Sequence, residues 1–329
     1  MKRFLFFAAA ATMFFAACQK TVVVYDNPDP QEISFLAVNK TATKAPVEGT
    51  TFGHANMQVS AFLAAGDGVD VGRNYFKDVT FTGASTFTGG QYWPISAATL
   101  NFLAVAPEVT GVTGVTTDFG TTNGASSSTT TVTGNETAQH DVMYSVARHS
   151  KTAGSAPTNV PMTFHHAYAW LDFTFKKSAG APVIKINEIT VNNVACNGTL
   201  TVTVSNAGSS SAALSTTQSW GTPTPMDLNV PYTGGDFTLT TDATEYAKGI
   251  LLIPEAPMTS FVISYTIADQ TFEYTYTPNP AVTWQPGKRY VYNISMNPSA
   301  ITIVPVVEAW DGDSVDSNVT DNDEDVVIN

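Results

Sequence analysis

The sequence predicts an all-β protein, built as two tandem β-sandwich domains behind an export signal. Three observations carry that expectation. Only 13% of the 329 residues are charged while 11% are aromatic, and Thr, Ser, Val and Gly abound, a mixture that fits a pleated, half-buried surface better than a helix. Apolar residues recur with period two in short runs bounded by Gly, Pro or Asn, the pattern of a sandwich. Beyond the N-terminal run, no apolar stretch of ten or more residues repeats at helical spacing.

At the N-terminus, Lys2 and Arg3 precede an apolar run from Phe4 to Ala17, the layout of a secretory signal. A spanning helix needs roughly 20 residues, and this run has 14, so residues 1–17 are expected to direct export and then leave. Ala16, Ala17 and Cys18 close the run. They resemble the lipobox of bacterial lipoproteins, with Phe15 where that pattern usually has Leu. The resemblance implies cleavage between Ala17 and Cys18 and acylation of the Cys18 thiol, which would hold the precursor on a membrane by roughly 0.8 kcal/mol per buried methylene. Residues 18–31 follow as a polar, lipidated tether.

Without Lys2 and Arg3, 13 basic residues face 28 acidic ones. A net charge near −15 repels nucleic acid and anionic lipid, so no nucleic-acid partner is expected. With Cys18 acylated, Cys196 is the remaining cysteine and no intramolecular disulfide can form despite the oxidising compartment. Nothing basic lies beside Cys196 in sequence, which favours a small core residue over a reactive thiol. About 310 residues exceed what one core ordinarily holds, so two domains are expected.

Along the chain, Ile33, Phe35 and Ala37 alternate as a half-buried strand ahead of Lys44. Residues 109–137 are dominated by Thr, Ser and Gly and read as a long surface loop. A second polar break over 150–159 precedes Val160, where a new strand begins, and this places the domain boundary, with 32–160 as the N-terminal domain and 161–310 as the C-terminal one. Between 183 and 205 lie two strands with Asn197-Gly198 as a hairpin turn. Phe261, Ile263 and Tyr265 alternate against Phe272, Tyr274 and Tyr276 across a turn at Ala268-Asp269-Gln270, and Tyr290, Tyr292, Ile294 and Met296 form another face. Ile301, Ile303 and Val307 alternate in a further run, interrupted by Pro305, which cannot donate a ladder hydrogen bond. Residues 311–329 are an acidic tail without a base, expected to be disordered, with Val326-Val327-Ile328 as a terminal strand.

Chemistry-bearing patterns are few. Adjacent residues on a strand point to opposite faces, so His165 and His166 cannot share a metal and read as packing or hydrogen-bonding residues. A calcium loop needs Gly at its sixth position and Glu at its twelfth. Counting from Asp311 the sixth residue is Asp316, and from Asp321 it is Val326, so the tail reads as a solvated acidic run. No nucleophile elbow, HExxH or Gly-rich phosphate loop is present. The expectation is a non-enzymatic protein with no metal and no cofactor.

Together these residues resemble the fimbrillins of the Bacteroidetes, the subunits of type V pili. The likeness rests on the lipobox, Glu32-Ile33-Ser34-Phe35, Thr43-Lys44-Ala45, Tyr92-Trp93-Pro94 and Leu100-Asn101-Phe102 leading to Ala106-Pro107. It continues through Asp141-Val142-Met143-Tyr144, Phe164-His165-His166-Ala167 and Trp284-Gln285-Pro286-Gly287-Lys288-Arg289-Tyr290. It implies two tandem transthyretin-like Greek-key β-sandwich domains, a location on the outer membrane and then in a surface fimbria, and other fimbrial subunits as partners. It also implies proteolytic maturation between Lys44 and Ala45, with Lys44 where family cleavage usually follows Arg. The strand carrying Ile33, Phe35 and Ala37 would then be displaced, and the run carrying Ile301, Ile303 and Val307 would be donated to the vacated groove of a neighbour. The plainer reading of that run is an ordinary last strand of the second domain. Two other roles fit an exported lipoprotein: a fimbrial anchor that keeps its lipid and first strand, and a surface glycan binder using Trp93 or Trp220 as exposed platforms.

Overall fold

A computed structural model describes residues 31–39, 52–64, 73–94, 98–106, 112–119, 125–132, 141–152, 159–230, 232, 234–256 and 258–310. Ala17, Cys18, Lys44, Ala45 and the acidic tail lie outside them. Every regular element among the described residues is a strand. In chain order these are β1 (Glu32–Asn39), β2 (Asn56–Leu63), β3 (Arg73–Gly83), β4 (Thr86–Tyr92), β5 (Ala98–Ala106), β6 (Val112–Phe119), β7 (Ala125–Val132), β8 (Met143–Lys151), β9 (Val160–His166) and β10 (Ala169–Lys177). They continue with β11 (Ile184–Val194), β12 (Gly198–Ser205), β13 (Ser215–Gly221), β14 (Met226–Asn229), β15 (Phe237–Thr238), β16 (Thr244–Leu252), β17 (Ser260–Ile267), β18 (Gln270–Tyr276), β19 (Lys288–Asn297) and β20 (Ala300–Ala309).

The first half closes into a barrel in the order β1-β4-β3-β2-β5-β8-β9. Closure removes the sheet edges that an open antiparallel sheet would leave unpaired. Alternate residues fill the interior: Ile33 and Phe35 from β1, Met57, Val59 and Ala61 from β2, and Phe81, Phe87, Phe102 and Phe164 from β3, β4, β5 and β9. In the second half, the sheets β16-β10-β19-β20 and β14-β11-β17-β18 enclose a second core, with Phe173 and Phe175 on one side and Ile263 and Phe261 on the other. All four period-two residues of β19, Tyr290, Tyr292, Ile294 and Met296, are buried in it. The hairpin expected at Ala268-Asp269-Gln270 joins β17 to β18, with Ile267 opposite Gln270 and positive φ at Ala268 and Asp269, the backbone that a two-residue hairpin turn requires.

Three expectations need correction. Residues 109–137 hold β6 and β7 rather than only loop, and β7 pairs with β12 over eight residues, from Ala125↔Ser205 to Val132↔Gly198. A run of three Ser and three Thr hides a strand because both faces look polar. Second, Asn197-Gly198 is not a hairpin turn, since β11 pairs with β14, β15 and β17 while β12 pairs with β7 and β13. A Cβ on Gly198 would sit 2.9 Å from Ile253 Cδ1, so the glycine there answers to close packing rather than to a turn. Third, Trp93 and Trp220 are each only 5% exposed, and neither is a platform for a glycan. As for the polar break over 150–159, it connects β8 to β9 within the barrel. The chain crosses to the second half at Ala167-Tyr168, both buried, so no polar composition marks the crossing.

A third apolar cluster lies between the two halves. Phe62, Leu103, Val105 and Tyr144 from the barrel strands meet Tyr168, Trp170, Leu251 and Trp310, roofed by Leu200, Val202, Val204 and Trp220 of the β13-β12-β7-β6 sheet. Cys196 is buried against the second core.

Candidate functional site

β1 is the strand that closes the barrel, and its two neighbours hold it differently. It runs antiparallel to β4, with Glu32 opposite Tyr92 and Leu36 opposite Thr86, and parallel to β9, from Phe35↔Val160 to Asn39↔Phe164. The alternation read from sequence is realised inside: Ile33 and Phe35 are fully buried and Ala37 is 6% exposed, whereas Leu36 faces out at 41%. The Phe35 ring meets Phe81 at 4.9 Å and Phe102 at 5.1 Å, both edge-on. Polar contacts fix its start and its outer face. Trp93 N–H donates to Gln31 O at 2.9 Å, Gly90 N–H to Glu32 Oε1 at 2.9 Å, and Ser34 Oγ to Asn159 Oδ1 at 2.8 Å.

β9 depends on β1 for most of its ladder. Its first five residues are registered to β1, while β8 is registered to it only at His165 and His166. Loss of β1 would therefore leave an unpaired edge on β4 and another on β9, above an apolar trough floored by Phe81, Phe102 and Phe164. An exposed strand edge beside apolar pockets is the setting in which an incoming strand binds by backbone pairing and side-chain insertion.

The run expected as a donor is β20, which pairs antiparallel with β19 over its full length, Ala300↔Asn297 to Ala309↔Lys288. Ile301 is 2% exposed; Ile303 and Val307 are half-buried against the second core. Val304 and Val306 face outward, 42% and 39% exposed. Just beyond β20, Trp310 leaves this sheet for the third cluster. Its ring stacks on His166, centroids 3.6 Å apart, and meets Trp170 edge-on at 5.2 Å.

The two adjacent histidines have different surroundings, as alternation requires. His166 is 1% exposed with Nδ1 2.9 Å from Asp141 Oδ1, whereas the half-buried His165 ring lies 5.9 Å from Tyr144. Sequence reasoning missed the Asp141–His166–Trp310 contact and the Asp172–Arg289 pair beside it. In that pair, burial pushes the Asp172 carboxyl up, opposed by the Gly249 N–H and the Arg289 guanidinium. Only a tryptophan at the end of an apolar run and an acid inside one hinted at either.

Compared with known proteins, the chain matches the fimbrillin-like family model over residues 43–310. Solved structures resemble it across most of its length at low identity. A fimbrial protein from Bacteroides vulgatus is 17% identical, with 84% of this chain and 99% of that one covered and a TM-score of 0.46. A fimbrial assembly protein from Parabacteroides distasonis is 12% identical, covering 85% and 98%, with a TM-score of 0.39. The fimbrial anchor protein Mfa2 from Porphyromonas gingivalis is 10% identical, covering 85% and 98%, with a TM-score of 0.34. No curated protein matches. With the match running from just after β1 to Trp310, the chain belongs to the fimbrillin-like family.

Proposed function

We propose that this chain is a structural subunit of a cell-surface fimbria, exported as a lipoprotein and assembled by protease-triggered strand exchange. The observation that carries the reading is that β1, which lies before the family-matched residues, closes the barrel as a single strand between β4 and β9. Acylation at Cys18 holds the precursor on the outer membrane. Hydrolysis of the peptide bond after Lys44 separates β1 and the lipid from the rest of the chain. The trough then accepts a strand from a neighbouring subunit, for which β20, with Ile301, Ile303 and Val307 on one face, is the candidate. In this reading the barrel and the following sandwich are the two tandem transthyretin-like domains, and adhesion is a property of the polymer rather than of a cofactor-bearing site.

The energetics favour a cover that stays in place until it is cut. A net backbone hydrogen bond contributes about 1 kcal/mol and burial of a large apolar side chain roughly 1.5–3 kcal/mol, so the β1 ladder with Ile33 and Phe35 amounts to several. While β1 remains tethered, any local opening is reversed by intramolecular closure. Once cut, the strand is a dissociable peptide and a donor at high local concentration can replace it.

The test is Lys44→Ala together with the intact mass of protein extracted from the cell surface. The expected result is a wild-type chain beginning at Ala45 in polymers that resist dissociation without boiling, and a Lys44→Ala chain that is monomeric and still acylated at Cys18. Normal polymers from Lys44→Ala overturn the reading. An acylated wild-type chain found at the base of fimbriae built from other subunits assigns the anchor role instead.

A further inference from the structure

The end of β20 and β9 of the barrel meet through an aromatic contact. Trp310 is 1% exposed, its backbone N–H donates to Gly287 O at 2.9 Å, and its ring lies on His166 with planes 17° apart. His166 is the last residue of β9, the strand whose first five residues are registered to β1. Thus β1 supports β9, β9 presents the ring that Trp310 covers, and Trp310 fixes the end of β20. A face-to-face stack tolerates little lateral displacement before its contact is lost.

We propose that Trp310 is a latch that couples occupancy of the β1 slot to release of β20 within one subunit. With β1 in place, β9 is held along its length, His166 faces Trp310, and β20 stays hairpinned to β19. Without β1, Val160–Phe164 lose their registered partner, β9 pivots on the two residues that β8 still pairs, and Trp310 is unseated, so that β20 frays from its Trp310 end. This rests on the reading of β1 as a removable cover and β20 as the donor, and it adds an order of events: the groove opens first and the donor strand of the same subunit is freed second. A subunit so built cannot offer its donor while its own acceptor groove is still closed.

The coupling can be read on the uncut monomer, independently of cleavage and polymerisation. Amide hydrogen exchange is measured by NMR or mass spectrometry on the soluble chain from residue 19 onward in four forms: wild type, Phe35→Ala, Trp310→Leu and the double variant. Phe35→Ala loosens β1 from inside the barrel core, whereas β20 packs on the second core. The expected result is that it speeds exchange of the β20 amides from Val306 to Trp310 by about tenfold while β17 amides change little, a sub-global opening. Trp310→Leu alone gives a similar acceleration, and adding Phe35→Ala to it gives no more, the non-additivity of a shared contact. Should Phe35→Ala fail to fold, Phe35→Leu gives the same comparison with a smaller perturbation. Unchanged β20 exchange despite faster β1 exchange overturns the latch, as does uniform acceleration across the chain or an equal effect of Phe35→Ala in the Trp310→Leu background. A failed Lys44→Ala test would remove the strand-exchange function yet leave this coupling standing.

Discussion

Phe35 of β1 meets Phe102 of β5 edge-on, the ring centroids 5.1 Å apart and the planes at 83°. With Phe81 at 4.9 Å on its other side, this one side chain ties the closing strand to the middle of the barrel. Phe35→Ala removes a fully buried ring whose surroundings are strands locked by closure, so the cavity can collapse only in part. The expected loss is about 3–5 kcal/mol, confined to unfolding of the barrel, read as a lower denaturant midpoint for the barrel's own transition at unchanged slope. A loss below about 1 kcal/mol would mean that β1 contributes little to the barrel.

The strands that sequence made visible share one property. In β1, β17, β18 and β19, apolar residues recur at every second position over three or more repeats, so one face stands out. β7 lacks that contrast, because Ser and Thr occupy both faces and the apolar partner set, Leu200, Val202 and Val204, is on β12 elsewhere in the chain. The Asn197-Gly198 dipeptide is a local turn signal, but whether the flanking strands pair is decided by which sheet each can join. Parallel pairing of β1 with β9 joins positions so far apart that the Ser34–Asn159 bond spans 125 residues, and no local pattern encodes it. At the site, Ile33, Phe35 and Ala37 were legible from alternation alone. Trp310 on His166 was not, because an aromatic residue after a strand reads the same whether it plugs a neighbouring cluster or faces solvent.

Alkaline stability should report the buried phenols. Burial pushes Tyr246 and Tyr290 up to about 12 from the usual 10.0. Between those values the native chain keeps protons that the unfolded chain releases, so stability falls as pH rises from 10 to 12. Tyr290→Phe should make that decline shallower, although it also loses the bonds from Gln285 N–H and to Thr283 O. Denaturant midpoints at pH 9, 10 and 11 provide the check, and an unchanged slope in Tyr290→Phe would absolve that residue.

Lipid attachment gives a prediction independent of the fold. In the proposed export route the Cys18 thiol is the acyl acceptor, so Cys18→Ala should abolish incorporation of a fatty-acid analogue and release the protein from the membrane fraction. Labelling that persists would have to lie elsewhere, and Cys196, buried against the second core, is not accessible in the folded chain.

The last prediction concerns the ion pair beneath β20. Asp172, whose side chain is 1% exposed, accepts from Arg289 Nε at 2.6 Å and Nη2 at 2.5 Å, from Gly249 N–H at 2.7 Å and from Trp170 Nε1 at 2.5 Å. Arg289 reaches on to Glu308 of β20 at 2.8 Å, and its guanidinium lies 4.9 Å from the Trp170 ring centroid. Arg289→Met keeps much of the stem but strands a buried carboxylate, so the expected cost at neutral pH is about 3–5 kcal/mol. Glu308→Gln should cost below about 1 kcal/mol, since the Glu308 side chain is 47% exposed. Burial already raises the Asp172 carboxyl and Arg289 opposes that rise, so removing the arginine raises it further. The variant's native state then binds a proton more tightly than its unfolded state, and its deficit should shrink as pH falls towards the raised value and grow again as pH rises. Pairing Arg289→Met with Asp172→Asn should recover part of the loss, because the stranded charge is gone. Urea midpoints of the single and double variants at pH 7 and pH 5 decide it: a deficit independent of pH would assign the loss to packing of the Arg289 stem on Trp170 rather than to the charge on Asp172.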